Sequence, residues 1–382
     1  MEIDCRPVLW KIAPHTAAKH TILKRYIEAW APILSQSGRN KRLVYIDGFA
    51  GPGEYEDGEY GSPVVVLNAL RNHSLQNNFK SEFVCIFIEK CDERANHLRK
   101  VIKEKVEPLP SWIKYDIHVK DFNQYIKELI NYLNVEKLSL APALTFVDPF
   151  GWKDLNYNIL SDLMKFGKGE LLITLMAGFL QRFVWDKAHL PTIRRLFSDD
   201  QIKSIKGSDH QELQEKLIME YFLANLTSKI EEKIGNATKI WHLAFSARNA
   251  SNVLEYYLIY LTKNCKGFEA MKNAMYNVSS DGSYRFSDFD FDPHQSTLID
   301  YGVEDVWISD ASKEVMDYID KVTRNGTLKI PIREIKDYII CETKWKYKNA
   351  ILQKLESDKK IIVNISDRRG TTFPDQGFIS KR

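Results

Sequence analysis

The segment Asp47-Gly48-Phe49-Ala50-Gly51-Pro52-Gly53 directly follows a short apolar run that starts at Arg42. An acid closing a strand, followed by glycines where a Cβ would obstruct a ligand, is the chemistry of a nucleotide-binding turn. A second acid, Glu89, closes the next apolar run in Phe87-Ile88-Glu89. A carboxylate there is placed to accept both hydroxyls of an adenosine ribose. Asp121, with Phe122 and Asn123, closes a third run, where it is expected to read the adenine edge. Ligands of open parallel sheets bind beyond the carboxyl ends of the strands, so the three features converge on one crevice.

Two nucleotide chemistries compete for it. A dinucleotide fold needs GxGxxG opening a helix, but Tyr55-Glu56 follows Gly53, and the phosphate loop GxxxxGK[ST] is absent. The turn runs instead into an acidic loop with Glu54, Glu56, Asp57 and Glu59. Such a loop repels pyrophosphate and tolerates a sulfonium cation, which favours S-adenosylmethionine. Gly61-Ser62-Pro63 then opens a helix, with Ser62 as the expected N-cap and Pro63 at its first position.

A fourth run ends in Asp148-Pro149-Phe150-Gly-Trp152. An Asp/Asn/Ser-Pro-Pro-aromatic motif in this place serves exocyclic-amine methylation, the acid and a proline carbonyl accepting from the amine and the aromatic stacking on the base. The second proline is missing here. No Pro-Cys dipeptide exists, which excludes a cytosine-C5 enzyme. Upstream, His15-Thr16 and Lys19-His20 start the first helix, and Lys19 is expected to pair with the methionine carboxylate. Each of these residues also has a structural explanation: strand-end caps for Asp47 and Asp148, core aromatics for Phe150 and Trp152, a solvent-facing Lys19. Several such features at successive strand ends favour function.

The elements that must position them follow from periodicity. Apolar spacing of three and four marks a helix over Thr16–Ser35. Short apolar runs at Arg42–Asp47, Phe83–Ile88, Ile113–Val119, Leu144–Val147 and Glu170–Leu175 alternate with helical stretches near Pro63–Arg71, Cys91–Lys105, Phe122–Leu133 and Asn156–Phe166. Alternation of this kind implies an α/β fold: a Rossmann-like, doubly wound sheet. A charged helical insertion is expected at about 188–236. Lys239–Phe245 and Val253–Thr262 are expected as last strands, Ala274–Val278 as a weaker one, and Ser279–Asp292 as a loop leading out of the domain. Ile332–Ile340 and Lys344–Leu355 read as helices, and Lys360–Ile365 and Thr372–Ile379 as strands. Helix, helix, strand, turn, strand is the order of a winged helix. The expected domains are 1–295 and 305–382.

The 382 residues are 44% hydrophobic and 27% charged, ordinary for a globular protein, and no apolar run is long enough to span a bilayer. With no signal-like N-terminus, the chain is expected to be soluble and cytoplasmic. Five scattered cysteines without CxxC argue against a disulfide framework and against a zinc or iron–sulfur site. The net charge is +3, yet residues 321–382 hold 15 Lys and Arg against 7 Asp and Glu. That basic segment suggests a phosphate-bearing partner, with a lysine-rich solvated surface as the alternative. Lys344, Lys346 and Lys348, read as lying on the second helix, and Arg368 and Arg369, on the wing turn, are the expected nucleic-acid contacts.

The glycine loop, Glu89 and Asp148-Pro149-Phe150 resemble the class I S-adenosylmethionine methyltransferases. More narrowly, the chain resembles the three-Cys-motif partner family of bacterial proteins. The resemblance rests on Lys19-His20-x-x-Leu23-x-x-Tyr26-x-x-x-Trp30, Tyr45-Ile-Asp-Gly-Phe-Ala-Gly-Pro-Gly53, Gly61-Ser-Pro63, Phe146-Val-Asp-Pro-Phe-Gly151, Gly267-Phe-Glu-Ala-Met271 and Gly282-x-Tyr284-x-Phe286-Ser287. It implies a separate three-cysteine, iron–sulfur partner protein, and it supplies no substrate. The expected function is methyl transfer from S-adenosylmethionine to a nucleic-acid base, an exocyclic amine favoured. The alternatives are a non-catalytic accessory subunit, binding cofactor or nucleic acid for a radical iron–sulfur partner, and a small-molecule methyltransferase.

Overall fold

The computed structural model describes residues 7–36, 38–279, 283–288, 300–365 and 370–382. The chain starts with α1 (Pro14–Ser35) and β1 (Arg42–Asp47), followed by α2 (Ser62–Arg71), β2 (Glu82–Glu89) and α3 (Asp92–Val101). Next come β3 (Ile113–Val119), α4 (Phe122–Val135), β4 (Ala143–Val147), α5 (Tyr157–Lys165) and β5 (Gly169–Leu175). Four helices follow, α6 (Ala177–Phe183), α7 (Leu190–Ile193), α8 (Asp199–Lys206) and α9 (Gln211–Ile234), before β6 (Trp241–Arg248), β7 (Leu254–Thr262), α10 (Cys265–Tyr276) and β8 (Arg285–Ser287).

These strands form one eight-stranded sheet in the order β3-β2-β1-β4-β5-β7-β6-β8. The first five are mutually parallel, while β7 runs antiparallel to both β5 and β6. This is the expected Rossmann-like doubly wound fold. All of β1 beyond Arg42 is buried, because helices cover both faces of a central parallel strand. Val44 and Ile46 face one layer and pack in a cluster with Ile126 and Ile130 of α4, Leu160 and Leu163 of α5, and Phe222 and Leu226 of α9. The charged stretch expected to be helical carries α7, α8 and α9, and α9 packs against α5, α6 and α8. A Cβ on Gly178 of α6 would lie 1.9 Å from the Leu254 carbonyl oxygen of β7, so glycine is what lets this helix reach the sheet.

By compactness the chain divides into two units, Met1–Ala274 with Arg285–Phe291, and Met275–Tyr284 with Asp292–Arg382. The second holds α11 (Asp300–Arg324), β9 (Ile330–Pro331), α12 (Ile332–Glu342), α13 (Asn349–Ser357), β10 (Ile361–Asn364) and β11 (Phe378–Lys381). Its antiparallel sheet has the order β10-β11-β9, over a core that includes Val315, Ile335, Ile339, Leu352 and Ile379.

Several expectations are corrected. Ala274–Val278 is no strand: its first residues complete α10, where Phe268, Met271 and Met275 are buried at helical spacing. The loop expected over Ser279–Asp292 contributes β8, which pairs with β6. Helix α11 was not anticipated. The second helix starts at Asn349, so Lys344, Lys346 and Lys348 precede it on a connecting loop. The cause is local: the Thr343 hydroxyl donates to the Ile339 carbonyl and accepts from the Trp345 amide, bonds that compete with continued helix. The last strand is Phe378–Lys381 rather than Thr372–Ile379. Cys91 is disulfide-bonded, against the expectation from the scattered cysteines, whereas Cys85, Cys265 and Cys341 are outside any disulfide.

Replacing Gly178 with alanine should lower the unfolding free energy by about 1–3 kcal/mol, because the backbone oxygen it meets must move. Urea unfolding at wild-type stability would show that α6 does not depend on this approach.

Candidate functional site at the carboxyl ends of β1 and β4

The chain leaves β1 toward β2 on one side and later returns to β4 on the other. This is the switch point where an open α/β sheet leaves a crevice. Asp47 pairs with Phe146 in register, so Asp47 and Asp148 stand at neighbouring strand ends. A cleft of about 230 Å³ opens there, lined in part by Lys19, Phe49, Gly51, Gly53, Ser62, Asp148, Pro149 and Phe150.

The glycine turn is built by backbone conformation. Gly51 and Gly53 have φ of +64° and +87°, a region that side chains disfavour. A Cβ on Gly51 would meet nothing within 4 Å, whereas one on Gly53 would strike Leu98. Gly48 lies against the Phe122 ring, which also packs on Phe49. Glu89 holds the turn from beneath: its carboxylate accepts from the Gly51 amide at 2.9 Å and the Cys91 amide at 2.8 Å. Glu89 is buried and does not line the cleft. Asp121 and Phe122 do not line it either. Asp121 caps α4 by accepting from the Gln124 amide and faces Lys90 at 3.6 Å, while Phe122 is core.

Asp47 is fully buried and accepts from the Phe49 amide at 3.3 Å and the Tyr45 hydroxyl at 3.2 Å. Ser62 also bonds to it. Ser62 is therefore not the helix cap: Gly61 takes that place, and the hydroxyl is engaged by the acid. Burial dominates these hydrogen bonds and pushes the Asp47 carboxyl up to about 7. His20, also buried, is pushed down to about 4 and is neutral at physiological pH.

Lys19, expected to face a ligand carboxylate, donates to Asp148 Oδ2 at 2.5 Å and lies 5.0 Å from the centre of the Tyr256 ring. Its side chain is 7% exposed and that of Asp148 23%. Phe150 is 69% exposed at the rim, where Trp10 meets it edge-on at 5.5 Å and the Arg94 guanidinium approaches both rings. Trp152 is core, against Phe183 and His189. Glu54, from the acidic loop, lines the cleft while paired with Lys105 and His97. Sequence reasoning missed Trp10, Tyr55 and Tyr256, which also line it. Nothing in their local spacing separates them from core aromatics.

In the second unit, Lys344, Lys346 and Lys348 approach the rings of Trp345, Tyr276 and Trp307 at 4.3, 4.9 and 5.6 Å. Arg368 and Arg369 lie outside the described residues. Among the described residues no cluster of His, Cys, Asp and Glu is placed to hold a metal ion, and no helix is long and apolar enough to cross a membrane.

No family model and no curated protein matches the chain. Among solved structures it is similar to the complex of Trm1 from Pyrococcus horikoshii with S-adenosyl-L-methionine, at 10% identity and a TM-score of 0.41. That match covers 69% of this chain and spans 58% of the other's length. It is also similar to the cyclopropane synthase MmaA2 from Mycobacterium tuberculosis, at 10% identity and a TM-score of 0.25, over 63% of this chain and 66% of that one.

Two outcomes test the electrostatics. Folded Asp47 keeps its proton to about pH 7, against 3.8 for an ordinary aspartate, so the folded state binds more protons between those values. The stability this contributes is complete below about pH 4 and lost as pH rises through 7. The unfolding free energy of wild type should therefore fall relative to Asp47→Asn across that window, measured by urea titration at several pH values. A pH-independent difference would remove the buried acid from the account.

Asp148→Ala strands a buried ammonium and should cost about 3 kcal/mol. The double variant with Lys19→Met should recover much of that loss. Simply additive costs in the cycle would show that the two side chains are not coupled.

Proposed function

We propose that this chain binds S-adenosylmethionine in the cleft and transfers its methyl group to an acceptor held at Asp148-Pro149-Phe150, a nucleic-acid base being favoured. The observation that carries this reading is the pair of carboxyls, Asp47 and Asp148, at adjacent strand ends beside the glycine turn. The residues present suit the cofactor. Open space at Gly51 leaves the turn's backbone accessible, and the acids that line the cleft, Glu54, Asp148 and Glu255, suit a sulfonium cation. Lys19 lines the cleft while bonded to Asp148, and Glu89 keeps the turn in shape. When bound, the sulfonium supplies an activated methyl group. Proximity then supplies much of the rate. Phe150, held at the rim by Trp10, offers a planar acceptor a ring to stack on.

The second unit's order, helix, short strand, two helices and two strands, supports a winged helix. The net charge of residues 321–382 supports a nucleic-acid partner, with Arg368 and Arg369 as contacts. Lys344, Lys346 and Lys348 would contribute from the loop, where their ammonium groups lie over aromatic rings. The motifs shared with the three-Cys-motif partner family support a separate iron–sulfur protein as partner, in a cytoplasmic setting. A second reading, a non-catalytic accessory subunit, draws on the engagement of Glu89 by two amides and of Asp148 by Lys19.

The test is incubation with methyl-labelled S-adenosylmethionine and either total RNA or sheared duplex DNA, followed by mass analysis of the nucleosides and calorimetry of cofactor binding. Label on a base amine is the expected result. Cofactor binding without transfer moves the conclusion to the accessory subunit, and no binding removes the cofactor reading. Affinity for nucleic acid should fall steeply with salt, and replacing Arg368 and Arg369 together should flatten that slope by up to about two units.

A further inference from the structure

We propose that His15 and Asp288 form the proton-accepting pair of this cleft, with His15 Nε2 taking the proton that an N–H or O–H acceptor gives up. This rests on the methyl-transfer reading above and narrows its substrate class to nucleophiles that carry a proton.

His15 Nδ1 lies 2.8 Å from Asp288 Oδ2. A carboxylate only accepts, so Nδ1 carries the hydrogen and the lone pair of the neutral ring is on Nε2. His15 lines the cleft. Its position is determined twice, since the Tyr256 hydroxyl donates to the His15 carbonyl at 2.6 Å and the Tyr256 ring meets the imidazole at 5.8 Å. Lys19, one turn further along α1, bonds Asp148 over the same Tyr256 ring. His15 and Asp148 therefore flank one tyrosine on the cleft wall.

Asp288 follows β8, and its amide donates to the Arg248 carbonyl at 3.0 Å. Its side chain is 9% exposed, and Oδ1 is buried with no hydrogen-bond partner among the described residues. A buried carboxylate with an unsatisfied oxygen is costly to keep unless a positive charge develops beside it. An imidazolium at His15 is that charge. The other groups in the cleft suit the task less well: Asp148 is engaged by Lys19, Glu54 by Lys105 and Glu255 by the Asn249 amide, and burial leaves His20 a weak base. Besides its partner Asp288, the ionisable groups that line the cleft with His15 among the described residues are Lys19, His20, Glu54, Tyr55, Asp148, Glu255 and Tyr256. In the transfer, the acceptor's lone pair forms the bond to the methyl carbon while the carbon–sulfur pair returns to sulfur. The N–H or O–H proton passes to His15 Nε2, and water removes it once the products leave. Asp288 is a positioning residue, which fixes the tautomer and offsets the imidazolium charge.

The test has a readout that needs no acceptor. Diethyl pyrocarbonate acylates an accessible, unprotonated imidazole nitrogen, and peptide mass analysis locates the modification. His15 should be acylated in the folded protein, several-fold more slowly in Asp288→Asn, and slowly again with saturating S-adenosylmethionine. A His15 that resists the reagent, or one that reacts equally fast in Asp288→Asn, overturns the pair. His15→Gln, or His15→Asn if the first fails to fold, should still bind S-adenosylmethionine in calorimetry. Transfer to the RNA or DNA substrate should drop by about 10²-fold, and transfer at the wild-type rate overturns the base role. If wild type binds no S-adenosylmethionine in calorimetry, or labels neither nucleic acid, the methyl-transfer reading is what fails. The acylation result then decides the His15–Asp288 pair by itself.

Discussion

The site depends on β1 being hydrogen-bonded to β2 on one side and β4 on the other. The chain departs from β1 in one direction and comes back to β4 from the other, so the loops at these two strand ends diverge. The space between them is the cleft. Everything chemical in the first unit is arranged around that divergence: the glycine turn leaves β1, Asp148 leaves β4, and α1 lays Lys19 across the opening. Both strands are buried on both faces, so neither can slip in register without exposing an apolar set to water.

Within that frame, the polar groups divide between support and exposure. Glu89 spends its two oxygens on backbone amides and so determines the shape of the turn. Asp47, sealed from solvent, keeps a proton to near neutrality because burial outweighs the bonds from Tyr45, Phe49 and Ser62. Asp148 keeps some exposure and is balanced by Lys19. The three acids at these strand ends thus differ in burial and partners, and only Asp148 lines the cleft.

Much of this was legible in the sequence. Arg42–Asp47 and Ile113–Val119 were read to the residue, because short apolar runs between helical patterns have few other interpretations. The convergence of the Asp47 turn and Asp148 on one place followed from strand order alone. The partners of the side chains were not legible. Ser62 looks like a cap beside Pro63, and only the buried carboxyl of Asp47 explains where its hydroxyl goes. Lys344-Trp-Lys-Tyr-Lys348 has helix-compatible composition, yet Thr343 competes for the backbone and Trp345 stacks on Trp307, so the segment is a loop. Asp288 gave no signal, since its partner lies 273 positions away. Contacts of that span are set by tertiary packing and leave no local period.

Those separations bear on how the molecule reaches its native state. Lys19 meets Asp148 across 129 positions and His15 meets Asp288 across 273. During synthesis the first helix emerges long before either acid, and α2 is the first helix to follow that packs against it. Closing such long loops costs entropy before the contacts return anything, which slows folding. The two pairs on the cleft wall thus carry a loop-closure cost that the neighbouring packing of α1 on α2 does not.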